Sequence, residues 1–538
     1  MAETIWSTTS SLGVSDLDTQ LVETLIPAEF RGAQFEFVRV CDFTRKSAET
    51  GESGEFKTVM DSSRVAGERR PRGAMAMQTG TRGGRTYGRP VEVAVPGQAP
   101  QRGAWGAQQP QRGGRGGAGA RGGMPWQSAW QAQQTAQTQE AGRTWSMEPQ
   151  PEWTLVKELP LVSLSKLAIS DAKVASEDVV WCGELREYDK QFEKLIARTG
   201  GRDVKKAADA SFYNVTASQD SVLEQLVGRA LVAGGETEKV VVGCSDKALA
   251  ALMTSARSVN PFDLIITKEE GAVMIDKRDF SSVEFMTVNE THASDAPAFD
   301  DSVKDNAEKL AQEATLVNQW FSQMALSAGE PKNAPEMAYS NPFVAEEDEK
   351  TAAVAYRYRK VQVGGEKGKY VFVVRAEVNA ITADGKFAAL RALNEYNLKL
   401  SNWKAQLDAQ RGALLAAEIK NNSFKFGRWV AEATLAGCEQ IKLGYVTRKG
   451  GMDNAFSLLN VQSLNTNEIA AQIGFSATNA WAVVTNILDL VMQSPDQNAR
   501  FVLVKDPKKS ALRLYQVPWD TVNFQEDGDF QDEHDEDN

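Results

Sequence analysis

Apolar and polar positions along the chain follow two periods that interleave through its second half. The run LIITKEEGAVMID at 264–276 is two β-rich stretches around Lys-Glu-Glu-Gly, and FVLVKDPKKSALRLYQV at 501–517 repeats the arrangement around a Pro-containing turn; both read as hairpins. VFVVRAEV at 371–378 is a further strand, and IKLGYV at 441–446 places Ile441, Leu443 and Tyr445 on one face. Helical spacing takes over between them. SATNAWAVVTNILDLVM begins at an N-capping Ser476, aligns Trp481, Val484, Leu488 and Val491, and stops before Pro495. Ser245 and Asp246 cap DKALAALMTSARSV, whose Leu249, Leu252 and Ala256 face inward and which ends before Pro261. Residues 304–326 carry Ala307, Leu310, Ala314, Val317, Phe321 and Met324 at 3,4 spacing, with Thr315, Asn318 and Gln319 on an adjacent face. By spacing alone that polar trio is a solvated surface; hydrogen bonding to a base edge is the sharper alternative. The mixture predicts an α+β body over 151–524 with a mixed or antiparallel sheet core and packed helices.

Outside that body the periods lapse. Residues 1–60 hold only short apolar clusters, with Trp6, Leu25, Ile26, Phe30, Phe35 and Phe37 too few to enclose a core. They read as an arm that docks in a partner's groove or packs on its own body. Residues 61–150 are a linker rich in Gly, Gln, Ala and Arg, including TRGGRTYGR and QRGGRGGAGARGG. Its Arg82, Arg85, Arg89, Arg112, Arg115 and Arg121, interleaved with Tyr87, Trp105, Trp126 and Trp130, suit RNA, because guanidinium groups pair with phosphate and stack on bases as the rings do. A solvated linker is the plainer alternative. Residues 525–538 form an acidic tail, which repels itself, keeps the basic tract from indiscriminate binding or aids solubility.

Composition then narrows the chemistry. A 538-residue chain with 42% hydrophobic and 25% charged residues is ordinary for a globular protein, and its net charge of -12 is too unevenly spread to argue against an RNA partner. Cys41, Cys182, Cys244 and Cys438 form no CxxC pair, which points away from zinc and toward a reducing, intracellular setting. The expectation is a cytoplasmic protein with no membrane partner, since neither a signal-like start nor a long apolar run is present. With only His292 and His534, histidine-based acid–base or triad catalysis is almost excluded. What survives is metal-assisted hydrolysis: Glu418-Ile419-Lys420 is a Glu-x-Lys unit whose side chains would share a face on a strand, and Glu377 could add a carboxylate from a neighbouring strand. Two residues on, Asn379 stands where a metal site favours Asp, so that site would be short of charge.

AVAYRYRK at 353–360, LDAQRGALLAAEIKNNSFKFGRW, KLGYV, WCGELREYDK at 181–190, the NPFV run from Asn341 and VLVKDPKK at 502–509 together closely resemble the D-subunit family of eukaryotic translation initiation factor 3, in the same order along the body. That resemblance implies a non-enzymatic, 7-methylguanosine cap-binding domain of a fold similar to the decapping exoribonucleases. Its vestigial metal positions would be Glu377, Asn379, Glu418 and Lys420, and no cofactor or metal is implied. The function it implies is cap-dependent recruitment of selected mRNAs to the small ribosomal subunit; the alternative is a metal-dependent cap-directed RNA hydrolase. Two helices aligning with 246–260 and 315–319 carry the cap contacts in the family, which by position makes Asp246, Val259 and Asn260, with Thr315, Asn318 and Gln319, the candidates here. Asn260 stands where an aromatic is usual in animal relatives and Gln319 replaces a His, so Trp320 is a possible stacking substitute. An insertion termed the RNA gate falls on Ser282, Val283, Glu284, Phe285, Met286, Thr287, Val288, Asn289, Glu290, Thr291, His292, Ala293, Ser294, Asp295 and Ala296. It would cover the RNA path in the free protein. The partners implied are capped mRNA, other subunits of initiation factor 3 (its E-subunit through the amino-terminal arm) and the small ribosomal subunit.

Overall fold

The computed structural model describes residues 143–522 apart from several short segments. The arm, nearly all of the Arg-Gly linker and the acidic tail lie outside the described residues. The body opens with β1 (Thr154–Pro160), α1 (Leu161–Leu164), β2 (Val174–Gly183) and β3 (Arg202–Asp203), then α2 (Ser221–Gly234), β4 (Val240–Ser245) and α3 (Asp246–Met253). The hairpin β5 (Asp263–Glu269) and β6 (Ala272–Asp276) precedes α4 (Ala307–Met324), β7 (Ala355–Val363), β8 (Tyr370–Val378), β9 (Ala380–Ile381) and β10 (Phe387–Glu395). Two successive helices, α5 (Trp403–Asn421) and α6 (Ser423–Ala436), lead to β11 (Gln440–Arg448) and β12 (Phe456–Asn465). After α7 (Thr466–Gln472) and α8 (Ala477–Met492), β13 (Ala499–Lys505) and β14 (Ala511–Val517) close the body.

These strands make two mixed sheets. The first has nine strands in the order β1-β14-β13-β5-β6-β4-β8-β7-β2, antiparallel except where β4 lies parallel to β6 and β8. The second runs β3-β12-β11-β10-β9, with β10 and β11 parallel. Strand β4 reads VVVGCS and is buried along its whole length, as a parallel strand covered on both faces must be. Its Val242 and Cys244 face α3, α6 and α8, while Val241 faces Leu223 and Val227 of α2. Leu249 and Leu252 are fully buried in the first of these clusters, each contributing about 1.5–3 kcal/mol of apolar transfer. The second sheet packs Val317 and Phe321 of α4 on one face and Leu407, Leu414 and Trp429 of α5 and α6 on the other. Gly444 of β11 permits this contact with α4, since a Cβ there would stand 3.0 Å from the Phe321 ring.

Helix α6 is the hinge of the architecture. Its Phe424, Ala431 and Leu435 join the core of the first sheet, and its Phe426 and Trp429 join the core of the second. A helix so placed is buried along nearly its whole length, with Thr434 alone exposed. The two sheets also meet covalently at Asn379, the residue between β8 of the first and β9 of the second.

Both expected hairpins form in antiparallel register, and Ser245 and Ser476 cap α3 and α8 through their hydroxyls. Three expectations are corrected. Glu418 and Lys420 lie on α5, not on a strand. Residues two apart on a helix are about 200° apart in direction, so Glu418 is half-buried while Lys420 is exposed. The helix that begins at Asp246 ends at Met253, leaving Val259 and Asn260 in the loop beyond a short 3-10 turn. The polar trio of α4 is not a solvated surface: Asn318 is buried and its Oδ1 accepts the Ala392 amide of β10 at 2.9 Å. Trp145 and Met147, at the end of the linker by composition, pack with Trp153 on Val502, Val504 and Tyr515.

Candidate functional site

Charged side chains fill the seam where the two sheets meet. Asp246, at the first turn of α3, accepts its neighbour Lys247's amide through Oδ1 and the Glu377 amide of β8 through Oδ2, both at 2.8 Å. Lys247 Nζ lies 2.7 Å from Glu377 Oε1. Arg391 of β10 bridges the sheets, donating to Asn379 Oδ1 at 2.8 Å and to Glu432 Oε2 of α6 at 2.9 Å. Burial, with the charges of Glu377 and Glu432, pushes the Asp246 carboxyl well above its ordinary value. Burial also acts to raise Glu377, but the Lys247 ammonium and its hydrogen bond outweigh it and hold that carboxyl low.

This donor set does not suit a divalent cation. Glu377 and Glu432 each give an oxygen to a protein cation, and Asn379 Oδ1 is shared between Arg391 and the Leu390 amide. The strand beside Asn379 therefore offers a guanidinium where a second carboxylate would be needed. Among the described residues, no three His, Cys, Asp or Glu side chains converge as a metal site.

From the seam the charge continues along α6. Lys425, Arg428 and Glu432 recur at helical spacing on a single stripe of a helix otherwise enclosed by apolar side chains. Sequence reasoning missed all three. The available signal was a 3,4-spaced charged stripe inside an apolar helix, because a buried charge persists only where partners or function hold it. Arg428 donates to the main-chain carbonyls of Val283 and Phe285, and so reaches the segment 282–296.

That segment is tied down along its described length. Glu284 pairs with the buried Lys277. The Met286 amide donates to Thr315 Oγ1 at 3.0 Å, and the Asn289 amide to Asn422 Oδ1 at 2.8 Å. Asn289 holds a left-handed backbone (φ 48°), which Asn tolerates better than most residues. Glu290 Oε1 receives Ser258 Oγ, Val259 N and Asn260 N at 3.0, 2.7 and 3.0 Å. The Thr291 amide and hydroxyl donate to the carbonyls of Asn421 and Lys420, two that the end of α5 leaves without helical partners. Asn422 completes the tie by donating to Glu418 Oε2 at 3.0 Å. Of its described residues only Ser282 is exposed; Ala293 and Ser294 lie outside the described residues.

The sequence candidates thus fall into two groups. Val259, Asn260 and Thr315 are drawn together by the segment 282–296, and the main chain around Glu418 and Lys420 anchors that segment instead of forming a catalytic strand. Asp246 stands apart with Glu377 and Asn379, at the opposite end of a helix about 12 Å long. Gln319 is half-buried on α4, and Trp320 packs against Phe456 with ring centroids 6.0 Å apart.

Residues 28–516 match the family model described as eukaryotic translation initiation factor 3 subunit 7 (eIF-3). Relatives described as the D-1 subunit of eukaryotic translation initiation factor 3, from Drosophila yakuba and Drosophila melanogaster, are each 35% identical over 401 residues, covering 72% of this chain and 68% of theirs. Among solved structures, Scheffersomyces stipitis Rai1 in complex with (3'-NADP)+ and calcium ion is similar at a TM-score of 0.41 with 13% identity, over 67% of this chain and 93% of that one. Candida albicans Rai1 in complex with pU5-Mn2+ is similar at 0.41 with 12% identity, over the same shares. No described helix is long and apolar enough to cross a membrane. The match along nearly the whole body places the chain in the eukaryotic translation initiation factor 3 subunit 7 (eIF-3 zeta) family, a family of translation initiation factor subunits and not of enzymes.

Proposed function

We propose that this protein binds the 7-methylguanosine cap of mRNA without cutting it, and helps to bring selected capped mRNAs to the small ribosomal subunit. One observation carries the reading. The segment 282–296 is hydrogen-bonded at once to Val259 and Asn260, through Glu290, and to Thr315, through the Met286 amide. A chain segment bonded to Val259 and Asn260 on one side and to Thr315 on the other is what a cover over a ligand groove would do, and Asn260 and Thr315 are both half-buried under it. Two buried cations of α6 near that segment, Lys425 and Arg428, support the binding of an anionic ligand in preference to its hydrolysis. By the same reading the aromatic residues of the arm meet a neighbouring member of the initiation factor, its E-subunit, and the Arg-Gly tract meets RNA or the ribosome. Crosslinking a cap-labelled RNA to the assembled initiation factor and mapping the attached peptide tests this directly. Label on peptides containing Asn260 or Thr315 is expected, with the RNA intact after incubation with Mg2+ or Mn2+; label confined to other members of the complex would refute it.

A further inference from the structure

Glu290 is 4% exposed, and its two carboxylate oxygens are treated unequally. Oε1 takes three donors from the consecutive residues Ser258, Val259 and Asn260, while the buried Oε2 has no partner. Consecutive main-chain amides converging on one point form an anion-binding nest. Two buried cations of α6, Lys425 and Arg428, act electrostatically on the same carboxylate. Lys425 is 5% exposed and makes no ion pair within salt-bridge distance among the described residues, and burial lowers its affinity for a proton more than Glu418 and Glu290 restore it. Arg428 Nε is buried without a hydrogen bond, its ion-pair partner Glu432 Oε1 standing 3.7 Å away. The carboxylate thus takes the three donors on one oxygen and leaves the other unanswered, with no hydrogen bond to either cation, whereas a phosphate brings more oxygens and more charge to the same amides and cations.

We propose that Ser258, Val259 and Asn260, with Lys425 and Arg428 beside them, form a phosphate subsite that the Glu290 carboxylate occupies as an internal stand-in. The inference rests on the reading of 282–296 as a cover, and it assigns the covered site to a phosphate group of the RNA ligand, with Glu290 competing for it. Displacing Glu290 requires the segment to lift, so occupancy of the nest and opening of the groove are one event.

The full chain is titrated with inorganic tripolyphosphate, with 7-methylguanosine triphosphate and with a 5'-hydroxyl oligoribonucleotide. Glu290→Gln keeps an acceptor but removes the competing charge, and is expected to bind tripolyphosphate at least about 10-fold more tightly than the parent, as release of an internal competitor demands. Adding Lys425→Met to Glu290→Gln is expected to abolish the gain. Equal tripolyphosphate affinity in parent and Glu290→Gln, or a gain that survives Lys425→Met, overturns the proposal. A further gain for the methylated nucleotide assigns the phosphate to the cap; a gain equal for both sustains the subsite while removing support for cap recognition; a gain seen with the oligoribonucleotide alone overturns the end-phosphate assignment. Should Glu290→Gln fail to fold, Glu290→Ala carries the same comparison.

Discussion

Asp220 and Glu290 are both buried carboxylates in the same body, yet their surroundings differ. Asp220 caps α2 by accepting the Leu223 amide at 3.0 Å, lies 3.0 Å from the Tyr358 hydroxyl through both oxygens, and takes Arg375 Nη1 at 2.9 Å. Arg375 Nη2 in turn reaches the Val215 carbonyl, leaving its Nε as the unanswered donor of that group. Around Glu290 more is left open: its own Oε2 has no donor, Arg428 Nε makes no hydrogen bond and stands 3.7 Å from Glu432 Oε1, and, further along the seam, Arg391 Nε has no acceptor. The first arrangement is a carboxylate placed to hold α2 and the first sheet together. The second buries charge without securing every partner, which a folded chain tolerates where something other than stability is being served.

The comparison breaks most easily at its structural end. Asp220→Ala leaves Arg375 charged and buried, and should cost roughly 3–5 kcal/mol in urea unfolding; a loss below about 1 kcal/mol, the level of a surface pair, would mean that this cluster is no more structural than the other. Arg428→Met removes the donor to the Val283 and Phe285 carbonyls and should cost only about 1–2 kcal/mol globally. Its larger effect is expected in hydrogen exchange, with faster exchange of the Met286, Asn289 and Thr291 amides. Unchanged exchange there would show that Arg428 does not hold the segment. Lys425→Met should be neutral or stabilising by up to about 1 kcal/mol, because it removes a buried charge that, among the described residues, has no carboxylate within ion-pair distance and only the Trp429 ring, 5.6 Å away, beside it.

The same variant has a pH signature. The folded pKa of Lys425 is lowered from 10.5 to about 8, so between those values the unfolded chain holds a proton that the folded one does not. Stability from this group therefore rises with pH across that window. The advantage of Lys425→Met over the parent should accordingly shrink between pH 8 and 10.5, and a constant difference would place Lys425 in an ordinary ion pair.

Much of this body is legible from its residues. The Lys-Glu-Glu-Gly and Asp-Pro turns announce β5–β6 and β13–β14, and Ser245 and Ser476 mark their helices, because turn and cap chemistry is local. Glu418-Ile419-Lys420 suggests a strand only while a tripeptide motif outweighs its setting: ALLAAEIK is dense in good helix formers, and α5 follows that propensity. Asn318 eludes spacing arguments because its partner, the Ala392 amide, is 74 positions away in the chain. Glu432 and Arg391 meet for the same reason only once the two sheets are assembled.

Strand β1 pairs with β14, so that Thr154 sits opposite Gln516 and the first strand of the body waits for the last. Some 360 residues separate them, and at about 5–20 residues per second a ribosome needs roughly 20–70 s to deliver the second after the first. For that interval β1 has no neighbour in its sheet, and afterwards no fragment ending before β14 can complete the edge. A component of the machinery that starts protein synthesis is thus one whose own first strand stays unpaired until some 360 further residues have been made.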